Sequence, residues 1–310
     1  MAVALFTHRA CLGHDTGPYH PECAERLRAI HAALEAERFA PLLREEAPRA
    51  SREALTRVHP EAYVEAILAL RPAEGEFVQL DADTVMSAGS AEAALRAAGA
   101  AVAAVDAVME GWARAAFAAV RPPGHHAEAA RAMGFCLFNN AAVAAAHARA
   151  RWGLARVCVL DFDVHHGNGT ESLVAADPAL FYVSTHQSPA YPFTGAAGER
   201  GGFDNIRNRP LPPGTGSAAF RAAWAEELLP AVERFAPELL VVSAGFDAHK
   251  ADPLAALRLE TADFGWITER IVALADRICA GRVVSVLEGG YDTVALAASV
   301  AAHVGALMRG

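Results

Sequence analysis

Short apolar runs alternate along the chain with longer stretches whose apolar residues recur at helical spacing. Runs at 3–7, 42–48, 116–120, 157–161, 180–184, 205–211, 239–243 and 283–287 predict strands. Segments near 22–38, 60–70, 89–111, 137–152, 216–235, 261–279 and 292–308 predict helices. Several strand runs, such as VCVLD at 157–161 and LLVVS at 239–243, are apolar almost throughout instead of alternating. A strand reads that way when both faces of a parallel sheet are covered. The pattern predicts an α/β protein with a largely parallel central sheet and helices on both faces. No Pro/Gly/Ser-rich linker divides the elements, so residues 1–310 are expected to form a single domain. Segment 186–217 is the longest irregular stretch and is rich in Gly and Pro, which points to a working loop.

Composition narrows the function classes without choosing among them. With 53% apolar and 20% charged residues, the 310-residue chain has the profile of a globular protein, not a disordered one. A net charge of −9 argues against broad nucleic-acid binding and suits cationic substrates. There are 73 alanines, and Lys250 is the sole lysine; the bias reads as the codon preference of a G+C-rich bacterium. The five scattered cysteines, with no C-x-x-C pair, argue against a disulfide framework and for a reducing, cytoplasmic setting. The start, MAVALFTHRA, has no basic leader and reads as a buried first strand. The Ala-rich segment 91–109 is broken by Glu92, Arg96 and Asp106, so no membrane span is expected.

Candidate chemistry collects where the apolar strands end. AFAAV leads into Arg121-Pro122-Pro123-Gly124-His125-His126, and VCVLD into Asp161-Phe162-Asp163-Val164-His165-His166-Gly167-Asn168-Gly169. LLVVS leads into Ala244-Gly245-Phe246-Asp247, and VVSVL into Glu288-Gly289-Gly290-Tyr291. Ligands of open parallel sheets bind at the carboxyl ends of the strands, where four such exits would converge. Asp163 and His165, two apart, point to the same side, and with Asp247 they form an Asp₂His set suited to a catalytic Zn²⁺. His125 and His126 can supply a general base and acid; Asp161 can orient one of them and Asn168 the other. Tyr291 offers a phenol to a developing oxyanion. Taken singly, each residue has a structural reading, as a cap, a turn or the polar tip of a core aromatic. Their recurrence at successive strand ends favours a joint site.

At these residues the chain resembles the histone deacetylase superfamily, within the arginase–deacetylase fold. His20-Pro21-Glu22 with Arg26-Leu27, SAEAA at 90–94, RPPGHHA at 121–127, Gly134-Phe135-Cys136 and Asn139-Asn140 carry the resemblance. DFDVHHGNGT at 161–170, SAGFDAHKADPL at 243–254 and LEGGY at 287–291 complete it. Asn168 and Pro123 place it nearer the class II and bacterial, acetylpolyamine amidohydrolase-like branch. The resemblance implies a three-layer fold with an eight-stranded sheet and one Zn²⁺ per chain held by Asp163, His165 and Asp247. It implies His126 as general base with Asn168 as partner, His125 as electrostatic member paired with Asp161, and Tyr291 as oxyanion donor. Gly134, Phe135, Tyr191, Leu254 and Gly289 would border a channel for an acylated amine. A structural K⁺ would involve Asp161 and Ser184, with the carbonyls of Asp163 and His165. Acetyllysine or a small acetylated amine is the implied substrate, and a homo-oligomer is compatible with the family.

Two other readings compete with deacetylation. A catalytically silent, acyl-ligand-binding member of the fold would be expected to lack Tyr291, a histidine or a ligand, and all are present. A dinuclear-metal ureohydrolase would need further Asp and His ligands. Leu254 stands where polyamine-selective relatives carry an acidic residue. Segment 77–90, with Asp81 and Asp83, is expected at the entrance, and His249 and Lys250 at the pocket edge. His20 is expected to set rim geometry. His166 should face away from His165, and His59, His147, His186 and His303 are expected to be structural, without carboxylate partners at ligand spacing.

Overall fold

A computed structural model describes residues 2–310. In chain order the strands are β1 (Val3–Thr7), β2 (Leu43–Glu46), β3 (Val78–Gln79), β4 (Val85–Met86), β5 (Ala115–Ala118), β6 (Val157–Asp161), β7 (Leu180–Gln187), β8 (Ile206–Leu211), β9 (Leu239–Ala244) and β10 (Val283–Leu287). Eight of them form one sheet in the order β2-β1-β5-β10-β9-β6-β7-β8, every neighbouring pair parallel. The four central strands β5, β10, β9 and β6 are fully buried, as their largely apolar runs require. The two edges are blunted by their sequences. β2 is the exposed LREE, and β8 carries Arg207, Arg209 and Pro210.

The helices are α1 (Ala24–Leu34), α2 (Arg52–Thr56), α3 (Glu61–Ala69), α4 (Ser90–Glu110), α5 (Asn140–Trp152), α6 (Asn168–Val174), α7 (Ser217–Ala222), α8 (Leu229–Phe235), α9 (Thr261–Ile278) and α10 (Thr293–Arg309), and crossover direction sorts them into two layers. From β1 the chain runs through α1 (Ala24–Leu34) to β2, and from β9 through α9 (Thr261–Ile278) to β10, both steps toward the β2 edge. From β5 it runs through α5 (Asn140–Trp152) to β6, and from β6 through α6 (Asn168–Val174) to β7, both steps toward the β8 edge. Right-handed crossovers in opposite directions put their helices on opposite faces. The packing agrees: α10 (Thr293–Arg309) lies between α1 and α9, while α4 (Ser90–Glu110) packs on α5. Alanine shapes the α4 layer, because a small side chain lets backbones approach. At Gly99 even a Cβ would lie 1.9 Å from the Pro48 carbonyl oxygen. Aromatic bulk fills the opposite layer, where Phe117, Phe162 and Phe246 pack against His303 and Phe264 packs against Phe162 and Phe246.

Several boundaries differ from the sequence expectation, each for a local reason. The helix expected at 137–152 begins at Asn140 because the Asn139 side chain caps the Ala142 N–H. The continuous helix expected at 216–235 is interrupted by a π turn at Ala223–Leu228. Pro230 follows it, and a proline with no N–H cannot complete the α ladder there. β7 continues to Gln187, three residues past the expected strand end and two into what read as loop, because β8 pairs with it through His186 and Gln187. The β3–β4 hairpin and α6 were not expected: the strands are two residues each, and α6 opens on Asn168-Gly169. Among the described residues no helix is long and apolar enough to cross a membrane.

Candidate active site

The four polar exits follow β5, β10, β9 and β6, which are adjacent in the sheet, so their first residues meet above its centre. There Asp163, His165 and Asp247 bring ligand atoms within 4.8 Å of one another. His165 Nδ1 lies 3.2 Å from Asp163 Oδ1 and 3.2 Å from Asp247 Oδ2. Backbone donors hold the carboxylates from behind. Asp163 Oδ2 accepts from the Gly289 N–H at 2.8 Å, and Asp247 Oδ1 from the Val164 N–H at 2.9 Å. Only glycine allows this approach, since a Cβ at Gly245 would lie 2.0 Å from Asp163 Oδ2 and one at Gly289 2.1 Å from Asp247 Oδ2.

The donor set fits a divalent cation. Asp247 Oδ2 is buried and has no hydrogen-bond partner. Burial, together with the neighbouring Asp163, pushes the Asp247 carboxyl well above the usual carboxylate range. Two buried carboxylates with one oxygen left over are stabilised by a cation between them. Among the described residues this is the one group of three such side chains gathered closely enough.

The two neighbouring histidines are held differently. His125 Nδ1 bonds Asp161 Oδ2 at 3.1 Å, and Asp161 also accepts from the Tyr182 hydroxyl and the Asp163 N–H. Against the downward pull of burial, Asp163 and Asp161 hold the His125 imidazole up to about 10. His126 Nδ1 instead bonds the neutral Asn168 Oδ1 at 2.9 Å, and Asn168 Nδ2 donates to Glu128. Burial and the charges of His125 and His165 push His126 well below the ordinary histidine value. The pair therefore offers a charged and a neutral imidazole, with ring centroids 4.0 Å apart.

A cavity of about 250 Å³ opens onto this cluster, lined by Asp83, His126, Gly134, Phe135, His165, Tyr191, Leu254 and Tyr291. Gly134 has φ +56°, and a Cβ there would lie 2.4 Å from the His126 ring. Phe135 follows at φ +69°, a strained conformation for a side-chain-bearing residue, and its N–H is held by Thr84 Oγ1 at 3.0 Å. Tyr191 sets its ring 5.2 Å from that of His126, and its hydroxyl is buried without a partner. Burial keeps the Tyr291 hydroxyl protonated by raising it well above its ordinary value, opposed in part by Arg26.

The expected residues do not all fall where the sequence suggested. Gly289 lies beneath Asp163 and Asp247 and is absent from the cavity lining. His249 and Lys250 also leave the pocket: His249 caps the Ala251 N–H and bonds Thr261, and Lys250 pairs with Glu260. Ser184 is the register partner of Asp161, with its hydroxyl on His186 Nδ1. His166 bonds Glu171 and Thr194, and His147 bonds Asp106 at 2.7 Å, so both have carboxylate partners that sequence spacing hides. His59 bonds the Ala129 carbonyl, and His303 bridges Thr268 and Ser285. His20 packs edge-on against Phe135 at 4.8 Å, and Asp83 reaches the cavity from the β3–β4 turn.

Sequence reasoning gave no role to a buried ionic group behind Tyr291. Glu22 bonds both Arg26 and Arg121, which hold its carboxyl down to about 2 against the upward push of burial. Arg26 reaches on to the Gly290 carbonyl at 2.6 Å and lies 4.8 Å from the centroid of the Tyr291 ring. Asp252 takes the Tyr291 N–H at 2.7 Å and the Leu254 N–H at 3.0 Å, tying the phenol to the cavity mouth. The i,i+4 spacing of Glu22 and Arg26 was the one local signal of this group.

A family model described as the histone deacetylase domain matches residues 20–307. The histone deacetylase-like amidohydrolase of Pseudomonas aeruginosa is 41% identical over 312 residues, covering 94% of this chain and 82% of that protein. Histone deacetylase 14, chloroplastic, of Arabidopsis thaliana is 39% identical over 329 residues, covering 99% and 77%. The crystal structure of the HDA15 HD domain superposes with a TM-score of 0.92 at 34% identity, covering 99% of this chain and 88% of that one.

Proposed function

The chain belongs to the histone deacetylase family and is a hydrolase of the deacetylase type, and from that premise we propose that it is a zinc-dependent amidohydrolase removing acetyl groups from amines such as the lysine side chain. One observation carries the metal assignment: the unpartnered, buried Asp247 Oδ2, beside His165 and Asp163 at the cavity floor. Asp163, His165 and Asp247 would hold the ion. Zinc, when bound, supplies Lewis acidity to a water molecule and to the amide carbonyl.

The chain's own groups would do the rest. Gly134, Phe135, Tyr191 and Leu254 line the cavity, suiting an aliphatic amine chain that leads the amide inward. His126, kept neutral, takes a proton from the attacking water and then delivers it to the leaving nitrogen, which would otherwise depart as an amide anion. His125, kept charged, contributes positive potential beside the reacting carbonyl. Tyr291 donates its hydroxyl hydrogen to the carbonyl oxygen as that oxygen gains charge. Leu254 at the mouth favours an acyl-lysine chain over a polyamine, whose further ammonium groups would find Asp83 as the one carboxylate among the lining residues.

The test is a panel of acetyllysine peptide, acetylputrescine and longer acyl-lysines, each with and without chelator. Turnover of the acetyllysine peptide that exceeds that of acetylputrescine and stops on chelation is the expected pattern. Preference for acetylputrescine would overturn the substrate assignment alone.

Asn168 sets a pH dependence. A carboxylate there would stabilise the His126 imidazolium and raise its pKa, by roughly one unit or more. Because the base acts in its neutral form, the acid limb of the kcat/KM profile of Asn168→Asp should move to higher pH. A profile superimposable on that of the wild type would contradict the role given to Asn168.

A further inference from the structure

We propose that Glu288, on which the catalytic reading places no role, is a positioning residue that holds the backbone of the tandem histidines through two peptide N–H bonds. The inference rests on the proposed deacetylase reading for its kinetic consequence, and on geometry alone for the contact itself.

The need for such a group follows from the chain at 121–126. Pro122 and Pro123 have no N–H, and the next two residues, Gly124 and His125, leave β5 beyond its last paired position. Their N–H groups are buried at the sheet centre, away from water, and must find acceptors. Nor is there room for a side chain at Gly124, where a Cβ would lie 2.5 Å from the Asn140 nitrogen and 2.9 Å from the Phe138 carbonyl oxygen.

Glu288 supplies the acceptor from the neighbouring strand. Its side chain is fully buried, and Oε2 accepts from the Gly124 N–H at 2.6 Å and the His125 N–H at 3.1 Å. Oε1 accepts from Ser243 Oγ at 3.1 Å. The backbone of Glu288 is anchored in turn, its N–H on the Ala244 carbonyl at 2.9 Å and its carbonyl on Arg26. Two successive N–H groups aimed at one oxygen form a small anion-holding nest. Burial raises the Glu288 carboxyl to about 7, with His125 and the Gly124 N–H opposing the rise.

The consequence reaches both imidazoles. Each ring is fixed at Nδ1, His125 by Asp161 and His126 by Asn168. Glu288 fixes the two peptide N–H groups that lead into His125, so that the backbone carrying the pair cannot shift without breaking a buried hydrogen bond. A misplacement of about 1 Å in a catalytic group can cost on the order of 10²-fold in rate.

Shape and hydrogen-bonding capacity, more than negative charge, are what this role requires. A glutamine can accept both peptide N–H bonds with its carbonyl oxygen and donate to Ser243 with its amide. Glu288→Asp keeps the charge but withdraws the carboxylate by one methylene. The experiment compares wild type, Glu288→Gln and Glu288→Asp as purified holoenzymes. It measures kcat and KM for an acetyllysine peptide, zinc content, and amide hydrogen exchange at Gly124 and His125 by NMR. The expected result is a kcat loss of about 10- to 100-fold in Glu288→Asp. That loss comes with unchanged zinc content, KM shifted less than kcat, and lost protection at those two amides while the strands stay protected. Glu288→Gln should recover most of both the rate and the protection. Unchanged protection at Gly124 and His125 in Glu288→Asp would overturn the proposal even if the protein showed no turnover. Equal damage in Glu288→Gln would overturn it too, by making charge the operative property. Wild type that fails to turn over would count against the deacetylase reading, leaving the exchange measurement to decide the contact.

Discussion

Tyr291→Phe is expected to lower kcat by roughly 10²- to 10³-fold, with a much smaller change in KM. The reason lies in what the substitution keeps. The ring stays packed against Phe135, 5.8 Å away between centroids, and over the Arg26 guanidinium, so the cavity wall should persist. What disappears is one hydroxyl donor, which burial holds in its protonated form. A donor that matters chiefly once the carbonyl oxygen gains charge affects kcat and leaves ground-state binding nearly intact. Steady-state kinetics on an acetyllysine peptide, with zinc content measured in the same samples, make the test. A kcat within threefold of wild type would remove Tyr291 from the mechanism.

Asp247→Asn should abolish tight zinc binding and, with it, turnover. Asparagine can still accept the Val164 N–H that Asp247 Oδ1 now receives, so the local backbone has no reason to shift. The change removes one of two neighbouring buried negative charges, leaving the cation a weaker donor and less charge to neutralise. A loss of affinity of 10²-fold or more is expected, read by competition with a chromogenic chelator. Relief of like-charge repulsion also predicts that the metal-free variant melts no lower than metal-free wild type. Wild-type zinc affinity in the variant would remove Asp247 from the ligand set.

How much of this could be read from the sequence depended on the range of the interaction. β6, β9 and β10 were legible because burial on both faces leaves an unbroken apolar run, and their exits were legible because Gly, Asp and His stand directly after those runs. Asp163 and His165 could be paired from spacing, and the structure brings Asp247, His125, His126 and Tyr291 to them. The ionic group of Glu22, Arg26 and Arg121 was not legible, since Arg121 meets Glu22 across 99 residues of chain. Gly289 shows a related failure. Its position in LEGGY suggested a channel wall, whereas its lack of a Cβ serves two carboxylates underneath. The π turn before Pro230 and the hairpin that delivers Asp83 were hidden for local reasons, a proline effect at the first and strands of two residues at the second.

The most direct test of zinc-dependent deacetylation is a titration. The chain is stripped of metal, zinc is added back in measured equivalents, and hydrolysis of an acetyllysine peptide is followed at each point. Activity that is absent at zero and rises to a plateau at one equivalent per chain is the predicted result. Full turnover by the stripped protein, or a plateau reached only at two equivalents, would contradict it.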